Sequence, residues 1–284
     1  MSINKFLIII IIVLVSNSTH SQENYAFFNR YNDSTQKYLK QRYFKSVKLI
    51  TNSSIVDENN NINEKTIKQN LKRILLSTDD LLVIDWEKED FWNLKLRTDS
   101  KEFIKAEKQF IRLIKIIRKN NPNIKIGIYG LPFKVYYNLN ASYNEKGKFD
   151  KILSLVDVIC PSFYFNFTDD IIGKEKNIEI ITNQLINCLE YGERLNKPVI
   201  PFVWELIHPS TKDIGGTFVP KDEFKRHLKL IINFKFKNEK VSGLIWWSPG
   251  GASEIYRSLS EDNTLSAREI RSRTLIEYVE MIKK

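Results

Sequence analysis

Two carboxylates one residue apart, Asp85 and Glu87, close an apolar run, Leu81-Leu82-Val83-Ile84-Asp85-Trp86-Glu87. On an extended chain, residues i and i+2 point to the same side. Both acids therefore face one way, with Ile84 and Trp86 turned the other. Two carboxylates crowded into a partly dry site resist ionising together, which raises the pKa of one. A carboxylic acid that keeps its proton near neutrality can protonate a glycosidic oxygen. The spacing alone fits better a pair of surface carboxylates at a strand end, neutralised by nearby lysines. Glu89 and Asp90 follow closely and fall in the next loop or the first turn of a helix.

Aromatic residues end the other apolar runs: Tyr129, Tyr164, Trp204, Trp246 and Trp247, with Glu205 beside Trp204. Sugar rings present flat apolar faces that stack on such rings, although any one of these residues also reads as ordinary core. Other chemistries find no residues. The three histidines, His20, His208 and His227, form no zinc-like ligand set. There is no G-x-S-x-G nucleophile elbow. Cys160 lies in an apolar run with no base to activate it. Aromatic and basic residues interleave over 224–240 without a recognised nucleic-acid motif, so no nucleic-acid partner is expected.

The elements that must position these residues are short strands alternating with amphipathic helices. Strands are expected at 47–51, 81–86, 124–129, 156–160, 199–204 and 243–247, with a weaker one near 25–29. They are rich in Val and Ile, as strands buried on both faces should be. Helical apolar spacing marks 64–76, 100–119, 177–195, 221–236 and 267–283. Polar stretches at 57–63 and 138–148 read as surface loops. This alternation calls for a parallel sheet, and six or seven units in one domain suggest a closed, TIM-like (β/α) barrel. A dinucleotide site is not indicated, because no glycine-rich fingerprint follows the first strand. In a parallel barrel the active site lies at the C-terminal ends of the strands, where Asp85, Glu87 and the aromatics fall.

Lys5, the apolar run from Phe6 to Val15 and the small polar exit to Ser21 have the form of a secretory signal peptide. Cleavage near Ser21 would leave residues 22–284 as one barrel domain, secreted or periplasmic, with no stable membrane span. An uncleaved N-terminal anchor is the alternative. Cys160 and Cys188 are expected as two separate buried thiols, a disulfide being the other option. The formal net charge of +10 favours anionic partners: nucleic acid, acidic polysaccharide or an anionic membrane surface. The basic residues are spread along helices such as 101–119 and 221–240, which suits solvated helix faces equally well.

Leu82-Val83-Ile84-Asp85-Trp86-Glu87 resembles the catalytic segment of the hyaluronidases, glycoside hydrolase family 56. Ile128-Tyr129-Gly130-Leu131-Pro132-Phe133, continuing to Tyr137-Asn138, is similar to that family's Tyr-Gly-x-Pro segment. Cys160-Pro161-Ser162-Phe163-Tyr164, Pro198-Val199-Ile200-Pro201-Phe202-Val203 and Gly243-Leu244-Ile245-Trp246 resemble three later segments, in order. The resemblance spans roughly residues 45–250. It implies a distorted (β/α) barrel and a retaining, substrate-assisted hydrolysis of an N-acetylhexosamine polymer such as hyaluronan or chondroitin. Glu87 would be the general acid/base, and the substrate's own acetamido oxygen the nucleophile. Asp85 would orient that group, Tyr164 would hydrogen-bond it, and Trp246 would wall the sugar pocket. No metal or organic cofactor is implied. The chain departs from the family in having Glu205-Leu206-Ile207-His208 where a Tyr is usual, Lys134 where a Cys is usual, and Lys-Glu-Asp-Phe-Trp after Glu87. A non-catalytic barrel that binds anionic glycan, or a barrel glycosidase of different mechanism with Glu205 as second carboxylate, are the alternative readings.

Overall fold

The computed structural model describes residues 23–58, 60–74, 77, 80–135, 142–248, 256 and 264–283. The expected signal peptide (1–21), Tyr137-Asn138 and the start of the 138–148 loop lie outside them. Among the described residues seven parallel strands form one sheet: β1 (Tyr25–Ala26), β2 (Lys45–Thr51), β3 (Leu81–Asp85), β4 (Lys125–Tyr129), β5 (Val158–Cys160), β6 (Phe202–Val203) and β7 (Ile245–Trp246). Their order is β5-β4-β3-β2-β1-β7-β6. The two outer strands meet through Ile159–Val199 and Ser162–Phe202 bridges. Ile200 N donates to Ile159 O at 2.9 Å and Phe202 N to Pro161 O at 2.8 Å. The sheet therefore closes on itself as the expected barrel.

Helices α1 (Asp33–Gln41), α2 (Asn52–Ile55), α3 (Glu64–Arg73), α4 (Glu89–Asn93), α5 (Lys101–Asn120), α6 (Asp150–Leu153), α7 (Asp169–Ile172), α8 (Lys174–Leu195), α9 (Lys221–Asn233) and α10 (Ala267–Lys283) follow in order among the described residues. None is long and apolar enough to cross a membrane. Alternation along β3 explains its unbroken hydrophobicity. Leu81 and Val83 point into the barrel, whereas Leu82 and Ile84 pack with the helices outside. On α5, Phe103, Phe110, Leu113, Ile114 and Ile117 meet that outer layer, and Ser100 caps the helix by accepting from Phe103 N at 3.1 Å. Cys160 lies inside the barrel and Cys188 in the helical layer, both as free thiols.

Several elements are shorter than expected. Regular pairing in 199–204 is confined to Phe202–Val203, because Pro201 has no N–H to donate. In 243–247 the ladder holds only Ile245–Trp246, because Gly243 lies against the N-terminal segment. A Cβ there would come within 1.7 Å of the Glu23 carbonyl oxygen. Helix α1 was not expected. Its apolar residues are few, yet Asn32 caps it by accepting from Thr35 N at 2.9 Å.

The barrel interior is tightly filled. A Cβ on Gly127 of β4 would lie 2.6 Å from Cys160 Sγ and 3.3 Å from Val83 Cγ2. Gly127→Ala should therefore cost about 1–3 kcal/mol by overpacking. Adding Cys160→Ala should restore most of it, as measured by urea unfolding of the single and double variants.

The floor is closed by a charged cluster. Glu23 accepts from Tyr25 OH at 2.6 Å, Lys45 Nζ at 2.7 Å and Lys125 Nζ at 3.0 Å. Burial alone would raise its pKa, but these donors outweigh it and hold the carboxyl at about 2. A depressed folded pKa means stability that is present above the unfolded value of 4.5 and is lost as pH falls toward 2. The half-exposed lysines screen the effect to about 1–2 kcal/mol. The stability gap between the wild type and Glu23→Gln, followed by urea midpoint, should be full at pH 7 and nearly closed at about pH 2.

Candidate active site

The C-terminal ends of the strands surround an open cavity of about 240 Å³. Asp85 is the last residue of β3 and Glu87 lies two residues beyond; both line this cavity. Between them Trp86 is turned outward and buried, its ring 4.9 Å from that of Phe110 on α5. The i, i+2 rule thus delivers both carboxylates to the mouth and anchors the residue between them in the outer core.

Asp85 is half-buried, and Glu87 is exposed at the opening with protein packed on its other sides. Desolvation raises Asp85 to about 6. Desolvation, and secondarily the charge of Asp85, raises Glu87 to about 7. Near neutrality Asp85 is mostly ionised while Glu87 holds a proton for a large share of the time, a division of labour suited to acid catalysis.

The walls are aromatic. Tyr129 ends β4, and Tyr164 follows β5 with its ring 6.1 Å from that of Tyr129. Burial, aided by the nearby acids, pushes both phenols above their ordinary range, so they remain hydrogen-bond donors. Trp204, just past β6, meets the Tyr164 ring at 5.8 Å edge-on, and His208 stacks on it at 6.0 Å. Trp247 completes the enclosure, supported edge-on by Phe27 at 5.2 Å. Behind Tyr164, the buried Lys134 ammonium donates to the Tyr164 carbonyl and, at 2.7 Å, to Asn166 Oδ1. Burial lowers this ammonium to about 7. Lys134 therefore braces the segment that carries Tyr164.

The structure brings Asp85, Glu87, Tyr129, Tyr164 and Trp204 to one cavity and leaves Glu205 and Trp246 outside its lining. Glu205 is fully enclosed, accepting from Trp246 Nε1 at 2.9 Å and from Tyr256 OH at 2.5 Å. Tyr256 OH in turn accepts from Trp204 Nε1 at 3.1 Å. Trp246, expected as a pocket wall, packs with Phe224 and Tyr278 in the helical layer, because strand alternation turns Ile245 and Trp247 inward. Sequence reasoning named Trp247 only among the run-ending aromatics, without a role in the pocket, and did not assign the lining residues Leu49, Phe202, His208 and Pro209. The signal for Trp247 was its place beside Trp246; for His208 there was none beyond its position after β6.

No protein-family model matches the sequence, and no curated protein matches it either. Solved structures do. The chain is similar to bee venom hyaluronidase, at 13% identity and a TM-score of 0.65, over 93% of this chain and 100% of that one. It is likewise similar to bee venom hyaluronidase in complex with a hyaluronic acid tetramer, at 15% identity and a TM-score of 0.62, over 92% of this chain and 96% of that one. At such identities the likeness establishes the barrel fold that the chain shares with these proteins.

Proposed function

We propose that this protein is a secreted endo-glycosidase that hydrolyses an N-acetylhexosamine-containing polysaccharide of the hyaluronan or chondroitin type. The observation that carries the reading is the Asp85–Glu87 pair, with its raised pKa values, in an aromatic-walled cavity at the C-terminal mouth of the barrel. Glu87 protonates the glycosidic oxygen. The substrate's acetamido oxygen attacks the anomeric carbon and expels the leaving sugar as an alcohol. Asp85 orients the acetamido group and stabilises the positive charge that develops on it, and Tyr164 donates to it. Glu87, now a carboxylate, activates the water that opens the cyclic intermediate, so the configuration is retained. Among the described residues the cavity lining holds two acids and no Lys or Arg. A uronate carboxylate would be repelled there, so the sugar at the cleavage point is the uncharged N-acetylhexosamine. The barrel shared with bee venom hyaluronidase, whose complex holds a hyaluronic acid tetramer, supports this choice of polymer.

Reducing-end release by the chain from Gln22 onward tests the reading on hyaluronan, chondroitin and chitin oligomers. Release from hyaluronan or chondroitin is expected. Intact polymer in every case, at enzyme concentrations that bind it, would overturn the assignment.

A further inference from the structure

The chain's positive charge is concentrated on one flank. Helix α5 holds seven Lys or Arg against two Glu, and α3 holds four against one, so this pair carries a net +8 of the formal +10. The two helices lie side by side. Along α5 the residues Lys101, Lys105, Lys108, Arg112, Lys115 and Lys119 are spaced four, three, four, three and four apart, and all six are exposed. That spacing places them in one file, about 27 Å long at the helical rise. Among the described residues none of the six forms a salt bridge. An ordinary solvated helix face interleaves acids at i±4, and this one does not. From α3 only Glu64 lines the grooves; it pairs with Lys68 at 2.8 Å and also feels Lys119 and Arg112, while Asp90 feels Lys105 and Glu102 is exposed.

The file borders two shallow grooves of about 440 and 460 Å³ that share Lys108 and Arg112 and so run end to end. Ile104, exposed, and Ile111, half-buried, contribute apolar surface between the cations. Helix α5 starts from the mouth-side loop after β3 and ends beside Lys125 at the start of β4, so the furrow runs down the outside of the barrel from the mouth to the floor.

We infer that the α3/α5 furrow is a second binding site, separate from the catalytic cavity, that holds a linear acidic polysaccharide. The inference deepens the glycosidase reading and rests on it for the identity of the polymer. On the glycosidase reading the cavity accepts a neutral sugar, and the furrow meets charge that the polymer carries outside it. A narrow file over apolar ground fits a thin chain with alternating charged and apolar surface. A flat membrane needs no groove, and single-stranded nucleic acid favours aromatic platforms, which the groove lining lacks among the described residues. A chain held on the flank raises the local concentration of polymer at the mouth.

The test is binding of a fluorescein-labelled chondroitin sulfate oligosaccharide to the triple variant Lys108→Glu/Arg112→Glu/Lys115→Glu. The control, Lys146→Glu/Lys235→Glu/Lys240→Glu, carries the same change of net charge on other exposed sites. Circular dichroism checks the fold of both. The furrow variant should bind about tenfold or more weakly at low salt, with a flatter salt dependence, whereas the control should stay within about threefold. Hydrolysis of a short oligosaccharide should be unchanged in both. Equal binding by the furrow variant and the wild type, or equal loss in the control, would overturn the inference. So would a furrow variant that loses binding to phosphatidylglycerol vesicles or single-stranded DNA while still holding chondroitin sulfate. A wild type that cleaves nothing, beside a furrow variant that loses binding, would sink the glycosidase reading alone. A wild type that cleaves, beside a furrow variant with undiminished binding, would sink the furrow alone.

Discussion

Glu87→Gln should turn over hyaluronan or chondroitin about 10²–10⁴-fold more slowly than the wild type, with KM little changed. The amide keeps the shape and polarity of the side chain and removes only the transferable proton. The wild-type pH profile should carry the same signature. Its two limbs belong to the carboxylate pair as a unit, with apparent values near 6 and near 7. Above about 7 the rate should fall as the acid deprotonates, and below about 6 it should fall as the second carboxylate is neutralised. Stability should move the other way. A raised folded pKa means that the folded protein binds more protons than the unfolded chain between 4.5 and about 7, so stability declines as pH rises through that window. Glu87→Gln should therefore melt at a higher temperature than the wild type at pH 8 and show a smaller difference at pH 4. Near-wild-type turnover by the variant on every polymer the wild type cleaves would remove Glu87 from the proposed mechanism.

Glu205→Ala should destabilise the protein by about 3–5 kcal/mol, measured by urea unfolding. The substitution opens a cavity in the enclosed layer and leaves the Trp246 indole N–H and the Tyr256 hydroxyl, both buried, without their acceptor. Glu205→Gln should cost less, about 1–2 kcal/mol, since its amide keeps one acceptor and can donate to the Tyr256 oxygen. Both changes should also raise KM. Trp204 is held by its N–H bond to Tyr256, and Tyr256 is held by Glu205, so loosening the carboxylate loosens a pocket wall. A Glu205→Ala protein as stable as the wild type would show that this buried network contributes nothing to the fold.

The barrel and the acid pair were legible because each rests on a short local rule. Period-2 alternation put Asp85 and Glu87 on one side, and the strand–helix rhythm required a parallel sheet. The wall was legible only in part. Trp246 and Trp247 are adjacent on a two-residue strand, and a one-residue shift of phase exchanges inside for outside. Glu205 looked like spare chemistry, because its two partners lie 41 and 51 residues away in the chain. The cations of α5 were visible as a helical pattern, but their concentration beside those of α3 depends on two helices separated by β3 and α4 becoming neighbours. Helix α1 was missed because its signals are a cap and a thin apolar stripe, not a broad hydrophobic face.

The first strand of this barrel pairs with both the second and the last. Tyr25 is in register with Lys45 on one side and with Ile245 on the other, and Leu244 N donates to Asn24 Oδ1 across 220 residues. A ribosome delivers those partners some 220 residues apart. Until β7 emerges, β1 and the growing sheet expose an unpaired edge, and the mouth that gathers Asp85, Glu87 and Trp247 does not exist. Ring closure by so distant a contact is entropically slow. The candidate site is thus complete only after β7 docks, whereas the β2–β3–β4 pairings, closer in the chain, can form before it.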